Sequence, residues 1–144
     1  MNEKVGMENY FDKLPLFDSI LYALEATHNL SRDDRHFYYD STVRKFFPIY
    51  YDGMSQGIAA LLTKDNKIVD LNIKDKKVTP SAVYGSTEAL ERLQILKINN
   101  LYKRLLKNGV ELKKAQVKKL IEIIEDRLVL LKNFDKNKII KVSF

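Results

Sequence analysis

His36-Phe37-Tyr38-Tyr39-Asp40-Ser41-Thr42-Val43-Arg44-Lys45-Phe46-Phe47-Pro48-Ile49-Tyr50-Tyr51-Asp52-Gly53 sets two aromatic-rich runs on either side of a short polar cluster. Aromatic and β-branched side chains suit a pleated, half-buried surface, and Asp40-Ser41-Thr42 supplies turn chemistry, so the stretch predicts a β-hairpin. Pro48 has no N–H to give to a ladder, which places the second strand at an edge or a bulge.

Working towards the N-terminus, Ser31 to Asp34 is polar turn material. Before it, Leu14, Phe17, Ile20, Leu21 and Leu24 recur at steps of three and four, as on the apolar face of an amphipathic helix. Proline fits a first turn and disrupts an interior, so this helix is expected to begin near Pro15, with Asp18 and Ser19 as start signals, and to run to about Asn29. Towards the C-terminus the periodicity weakens between Gly53 and Gly85, and Thr79-Pro80-Ser81 reads as a break. Ser86-Thr87-Glu88 then offers a capping hydroxyl and acidic first-turn residues for a helix that Lys107-Asn108-Gly109 closes. A second helix over about Glu111 to Asn133 carries Val117, Leu120, Ile121, Ile124, Leu128 and Leu131 on one face, and the short connection implies antiparallel neighbours. Lys138 to Phe144 has strand chemistry.

The expected fold is therefore α+β, in one domain over residues 1–144: an N-terminal helix, an aromatic hairpin, an irregular middle and a C-terminal antiparallel helical hairpin. Residues 1–85 form the aromatic α/β part, and residues 86–144 form the basic helical hairpin and tail.

A chain of 144 residues can bury a sizeable core without disulfides. It has no cysteine, which removes thiolate catalysis and thiolate-ligated metal clusters and fits a reducing compartment. Met1 to Phe17 lacks the pattern of a signal peptide, and no apolar run approaches the roughly 20 residues of a spanning helix, so a cytoplasmic chain with no membrane span is expected. The net charge of +6 is uneven: residues 1–85 hold 11 basic and 12 acidic groups, whereas 86–144 hold 14 basic and 7 acidic. Local positive potential of this kind attracts polyanions.

The densest polar constellation is His28-Asn29-Leu30-Ser31-Arg32-Asp33-Asp34-Arg35-His36, just before the hairpin that ends in Asp52-Gly53. Hairpin strands bring their outer ends together, so Asp34 and Asp52 are expected to lie close in space, and paired carboxylates can hold magnesium. Each residue also has a plain structural use. Asp33 and Asp34 suit a turn, Arg35 an ion pair, Asp52-Gly53 a turn pair, and His28 a helix C-terminus.

Asp34-Arg35-His36-Phe37-Tyr38-Tyr39 followed by Phe47-Pro48-Ile49-Tyr50-Tyr51-Asp52-Gly53 resembles the atypical kinase-like family of spore-coat CotH and HipA type. In that family an Asp-Arg-His-like catalytic loop leads into an aromatic strand, and a second strand ends in Pro-Ile-x-x-Asp-Gly with a metal-binding aspartate. The resemblance covers residues 28–53 and implies a fragment of a kinase C-terminal lobe. It implies that Asp52, beside Gly53, binds the metal and that Asp34, beside Arg35, is the catalytic aspartate. In a second register His28 is the loop histidine and Asp34 a metal ligand. Magnesium and ATP are the implied cofactors, and a protein phosphoacceptor the implied partner. The chain departs from the family where no asparagine follows Asp34 as a second metal ligand. Only 33 residues precede Asp34, too few for a lobe carrying a phosphate-covering loop and lysine. The expectation is a truncated or degenerate member that binds magnesium–nucleotide without turning over alone.

A second expectation belongs to another class: a small basic module that contacts nucleic acid or an acidic protein through its helical hairpin. Lys113, Lys114, Lys118 and Lys119, with Lys103, Arg104 and Lys107, cluster around the turn at Gly109 and would supply the charge.

Overall fold

The computed structural model describes residues 13–30, 33–51 and 78–134. Within them the chain is α+β: α1 (Leu14–Ala23), a 3-10 turn (Thr27–Leu30), β1 (His36–Asp40), β2 (Lys45–Ile49), α2 (Pro80–Gln94), α3 (Ile98–Lys107) and α4 (Lys114–Lys132). No helix among the described residues is long and apolar enough to cross a membrane. The middle segment expected to be irregular and the strand-like tail at Lys138 to Phe144 lie largely or wholly outside the described residues.

α1 starts with Pro15 in its first turn, as the sequence predicts, but ends at Ala23, well before Asn29. Glu25 adopts a left-handed φ of 57°. The Ala26 N–H bonds the Leu21 carbonyl and the Glu25 N–H that of Tyr22. Those paired bonds form the Schellman stop that usually takes glycine, here made by a glutamate.

β1 and β2 pair antiparallel, from His36 opposite Ile49 to Asp40 opposite Lys45. The turn chemistry expected of Asp40 is visible in its carboxylate, which accepts the Thr42 N–H at 2.8 Å. Pro48 is tolerated because both strands are edges of the two-stranded sheet that the described residues form.

The structure corrects the helix boundaries that follow. Thr79-Pro80-Ser81 is the start of α2 and not a break: the Thr79 hydroxyl accepts the Ala82 N–H at 3.2 Å, and Pro80 occupies the first turn, where its missing N–H costs nothing. Ser86, expected as a cap, is buried mid-helix and gives its hydroxyl to the Val83 carbonyl at 2.6 Å. The single helix expected up to Gly109 is two. Ala82, Ser86, Ala89, Leu90 and Leu93 define the inner face of α2, and a continuous helix would bring Lys97, Asn100 and Arg104 onto that face. The interruption at Ile95–Lys97 rephases the chain so that Ile98, Leu101, Tyr102 and Leu105 turn inward instead. α4 begins at Lys114, three residues after the expected Glu111, with the Gln116 side chain accepting the Lys113 N–H at 2.8 Å. Its predicted face holds: Val117, Ile124, Leu128 and Leu131 are buried, with Leu120 and Ile121 half-buried.

α1, α2 and α4 pack around one another, α3 lies on α4, and the hairpin hangs from α1. Two clusters fill the core. Leu16, Ala23, Ala89, Leu90, Ile124 and Leu128 form one, and Tyr22, Val78, Ala82, Val83 and Leu131 the other, against which Leu30 and Phe134 also pack. Small residues on α2 let α1 approach closely. At the tightest point a Cβ on Gly85 would sit 1.9 Å from the Pro15 carbonyl oxygen, so only glycine fits.

Gly85→Ala is therefore expected to lower stability by about 1–3 kcal/mol or more, read as a shift in the urea midpoint, because the backbone of α1 must move. Gly109, at φ 79° with open space around its Cβ position, serves as the control. Alanine there meets only left-handed backbone strain of about 1–2 kcal/mol.

Candidate functional site at the open end of the hairpin

Asp18 lies on the apolar side of α1, and its side chain is fully buried. Arg35, the residue before β1, meets it with two parallel bonds, Nη1 to Oδ1 and Nη2 to Oδ2, each 2.9 Å. The Arg35 Nε also donates to the Leu30 carbonyl at 3.3 Å. One guanidinium thus holds α1, the 3-10 turn and the root of β1 together. The geometry is the bidentate fork that a carboxylate favours and that lysine cannot reproduce.

Asn29 is buried beside it and makes the second tie. Its amide nitrogen donates to the Asp34 carbonyl at 3.3 Å and to the Tyr51 carbonyl. The last paired residues of the ladder are His36 and Ile49, so Asp34 and Tyr51 each lie two residues beyond it on their own strand. One side-chain amide holds the chain entering the hairpin to the chain leaving it.

Two histidines flank Asp34. His28 Nδ1 lies 3.6 Å from Asp34 Oδ2, both side chains partly exposed. His36 Nδ1 lies 3.0 Å from the Asp34 carbonyl, a distance at which a protonated Nδ1 donates, and the His36 ring lies 4.4 Å from that of Tyr51, tilted by 47°. The result is a polar notch with one carboxylate, two imidazoles and an exposed phenol.

The structure thus brings His28 and Asp34 together. It commits Arg35 to Asp18, so the Arg35 guanidinium is occupied in holding the notch in place. Asp52 and Gly53 lie outside the described residues; Asp52 follows Tyr51 directly in the sequence. Among the described residues there is no group of three or more His, Cys, Asp or Glu side chains that could hold a metal ion. Lys113 and Lys114 open α4, while Lys118 and Lys119 reach Glu122 at 4.0 and 3.6 Å.

Sequence reasoning missed the roles of three residues. Asp18 reads as a start signal because the expected face of α1 is Leu14, Phe17, Ile20, Leu21 and Leu24; the structure instead buries Leu16, Asp18, Leu21, Tyr22 and Ala23 and leaves Ile20 exposed, and a charge at a core position signals a buried partner. Asn29 reads in the sequence only as part of the polar loop. Arg127 sits between Ile124 and Leu131 on the α4 face, donates to the Ala23 carbonyl at 2.9 Å, and lies 3.0 Å from Glu25. Its burial pulls the guanidinium below its ordinary pKa, which Glu25 opposes. A scan against family models and searches of curated proteins and solved structures find nothing that matches the chain.

Asp18→Asn should cost about 3 kcal/mol in a urea titration, since it leaves Arg35, with only 21% of its side chain exposed, facing no counter-charge. Arg35→Lys is expected to fall between this variant and the wild type. A pH effect follows from Tyr22. Burial pushes its hydroxyl from 10.0 up to about 12; the Thr79 backbone bond opposes the rise, Asp18 adds to it and Arg35 opposes it. The folded chain favours the neutral phenol, so its contribution is complete below pH 10.0 and is lost as pH rises to about 12. Tyr22→Phe should flatten that alkaline decline, measured as the urea midpoint at stepped pH.

Proposed function

We propose that the chain is a kinase-like lobe of CotH/HipA type that binds magnesium–nucleotide at the open end of its hairpin. The observation that supports this most is the Asn29 tie. It places the Asp34 backbone against the residue that precedes Asp52, as a shared metal station needs. Asp34 offers a partly exposed carboxylate of the kind magnesium prefers, with His28 beside it. On this reading Asp52 would hold the ion, joined by Asp34 in the second register, with nucleotide phosphates and water completing its shell. Magnesium supplies neutralisation of phosphate charge.

In the first register, Asp34 is the group that would accept a proton from an attacking hydroxyl, and His28 orients its carboxylate. In the second, Asp34 is purely a ligand, and proton movement falls to His28. Both registers use the same notch. Arg35 acts by fixing the notch against α1 through Asp18 and does not touch the nucleotide. Phosphoryl transfer also requires a cradle for the nucleotide, so the reading is of binding by this lobe and not of turnover by these residues alone.

Magnesium alone should bind weakly, and magnesium with ATP should shift the backbone amide signals of Asp34 and its neighbours in a heteronuclear NMR titration. Asp52→Asn should weaken magnesium–ATP binding by about 10-fold or more, and Asp34→Asn should do the same where Asp34 is a ligand, as in the second register. Unchanged Asp34 signals at saturating magnesium–ATP, or unchanged affinity in both variants, would remove the kinase reading.

A further inference from the structure

From Ile95 to Leu120 the chain carries eight Lys or Arg side chains and one carboxylate, Glu111, a larger excess than the +6 of the whole protein. Lys118 and Lys119 are within reach of Glu122. The other six, Lys97, Lys103, Arg104, Lys107, Lys113 and Lys114, are exposed and make no ion pair among the described residues.

α3 has two clean sides. Ile98, Leu101, Tyr102 and Leu105 are half-buried as the helix lies on α4, and none of its residues is fully buried. Asn100, Lys103, Arg104 and Lys107 fall on the opposite side, and all are exposed. Lys113 and Lys114 begin α4 with no acidic residue in its first turn, where the helix dipole disfavours a cation. Arg104 and Lys107 lie in the last turn of α3, where the dipole favours a cation, but the like charges repel one another and Lys113 and Lys114 oppose the dipole of α4, so folding stability alone does not account for the whole arrangement.

We propose that the outward face of α3, with Lys113 and Lys114, binds the phosphate backbone of a nucleic acid. The outward face has no apolar side chain to enter a lipid layer, and Leu106 lies only on its flank. It also lacks the aromatic or aliphatic anchor that a protein partner needs at the centre of an interface. Amide and cationic donors alone match a repeating row of phosphates, contacted without regard to base sequence.

The test is fluorescence anisotropy of the full chain against a labelled duplex of about 20 base pairs at stepped salt. Five phosphate contacts, at about 0.9 counterion each, predict a log–log slope of about −4.5, an affinity loss of about 500-fold between about 50 and about 200 mM salt. The triple variant Lys103→Gln, Arg104→Gln, Lys107→Gln should lose only about 12-fold over the same range, a slope of about −1.8. Lys118→Gln with Lys119→Gln should keep the wild-type slope. All the altered side chains lie at the surface, so far-UV circular dichroism should not change; if the triple variant does lose helix, Lys103→Gln alone must still reduce the slope by about 0.9. Equal slopes for the wild type and the triple variant would overturn the proposal, as would an equal loss in the Lys118/Lys119 pair. Tighter binding at matched salt to phosphatidylserine vesicles or to polyglutamate than to the duplex would overturn it too.

Discussion

A fully buried carboxylate on α1 is tolerable only because Arg35 meets both of its oxygens at 2.9 Å. Removing such a charge from water costs several kcal/mol, and attraction between the partners returns that cost only when the geometry is this good. The net contribution of the pair to stability is accordingly modest, but its directional demand is strict. The fork fits in one orientation, and that orientation fixes where β1 leaves the helical core. The position of His28, Asp34 and the exit strand all follow from it.

A second arginine does for the other end of α1 what Arg35 does for its middle. The Schellman stop at Glu25 ends the helix abruptly, and Arg127 reaches from α4 to the Ala23 carbonyl and the Glu25 carboxylate. Its Nε has no partner among the described residues, a local cost that the surrounding leucines and isoleucines must offset. Both guanidiniums come from outside α1 and end on it. At the start of α1 Gly85 lets α2 close on the backbone at Pro15, so α1 is held by shape at its first turn and by charge at its middle and end.

Much of the fold could be read in advance where one signal dominated. The hairpin strands, the Asp40 turn and the inner face of α4 follow from side-chain pattern alone, because aromatic enrichment and a period near 3.6 leave little choice. Misreadings arose where one residue carries two meanings. Pro80 breaks an interior but opens a helix, and the deciding fact is the hydroxyl of Thr79 just before it. Ser86 is as good a cap as Thr79 by composition, and only burial against α1 assigns it to an interior. The split between α2 and α3 has no glycine or proline to announce it; it shows only as a change in phase between Leu93 and Ile98. In the notch, a crowd of polar residues was legible as a site, whereas the division of labour between Arg35, which supports, and Asp34, which is presented, depends on Asp18, 17 residues earlier in the chain, a pairing that no local pattern encodes.

α3 has no buried residue and, among the described residues, packs chiefly on α4, while the other three helices share one core. Local opening therefore has a natural seam: α3 can detach at Ile95–Lys97 and Asn108–Gly109 while Leu128 and Ala82 stay within the clusters formed with α1 and α2. Its amides would exchange with solvent hydrogen through this partial opening, and those of α1, α2 and the inner half of α4 only through global unfolding. The molecule is then two cooperative units of unequal depth, with the shallower one carrying the greatest density of positive charge.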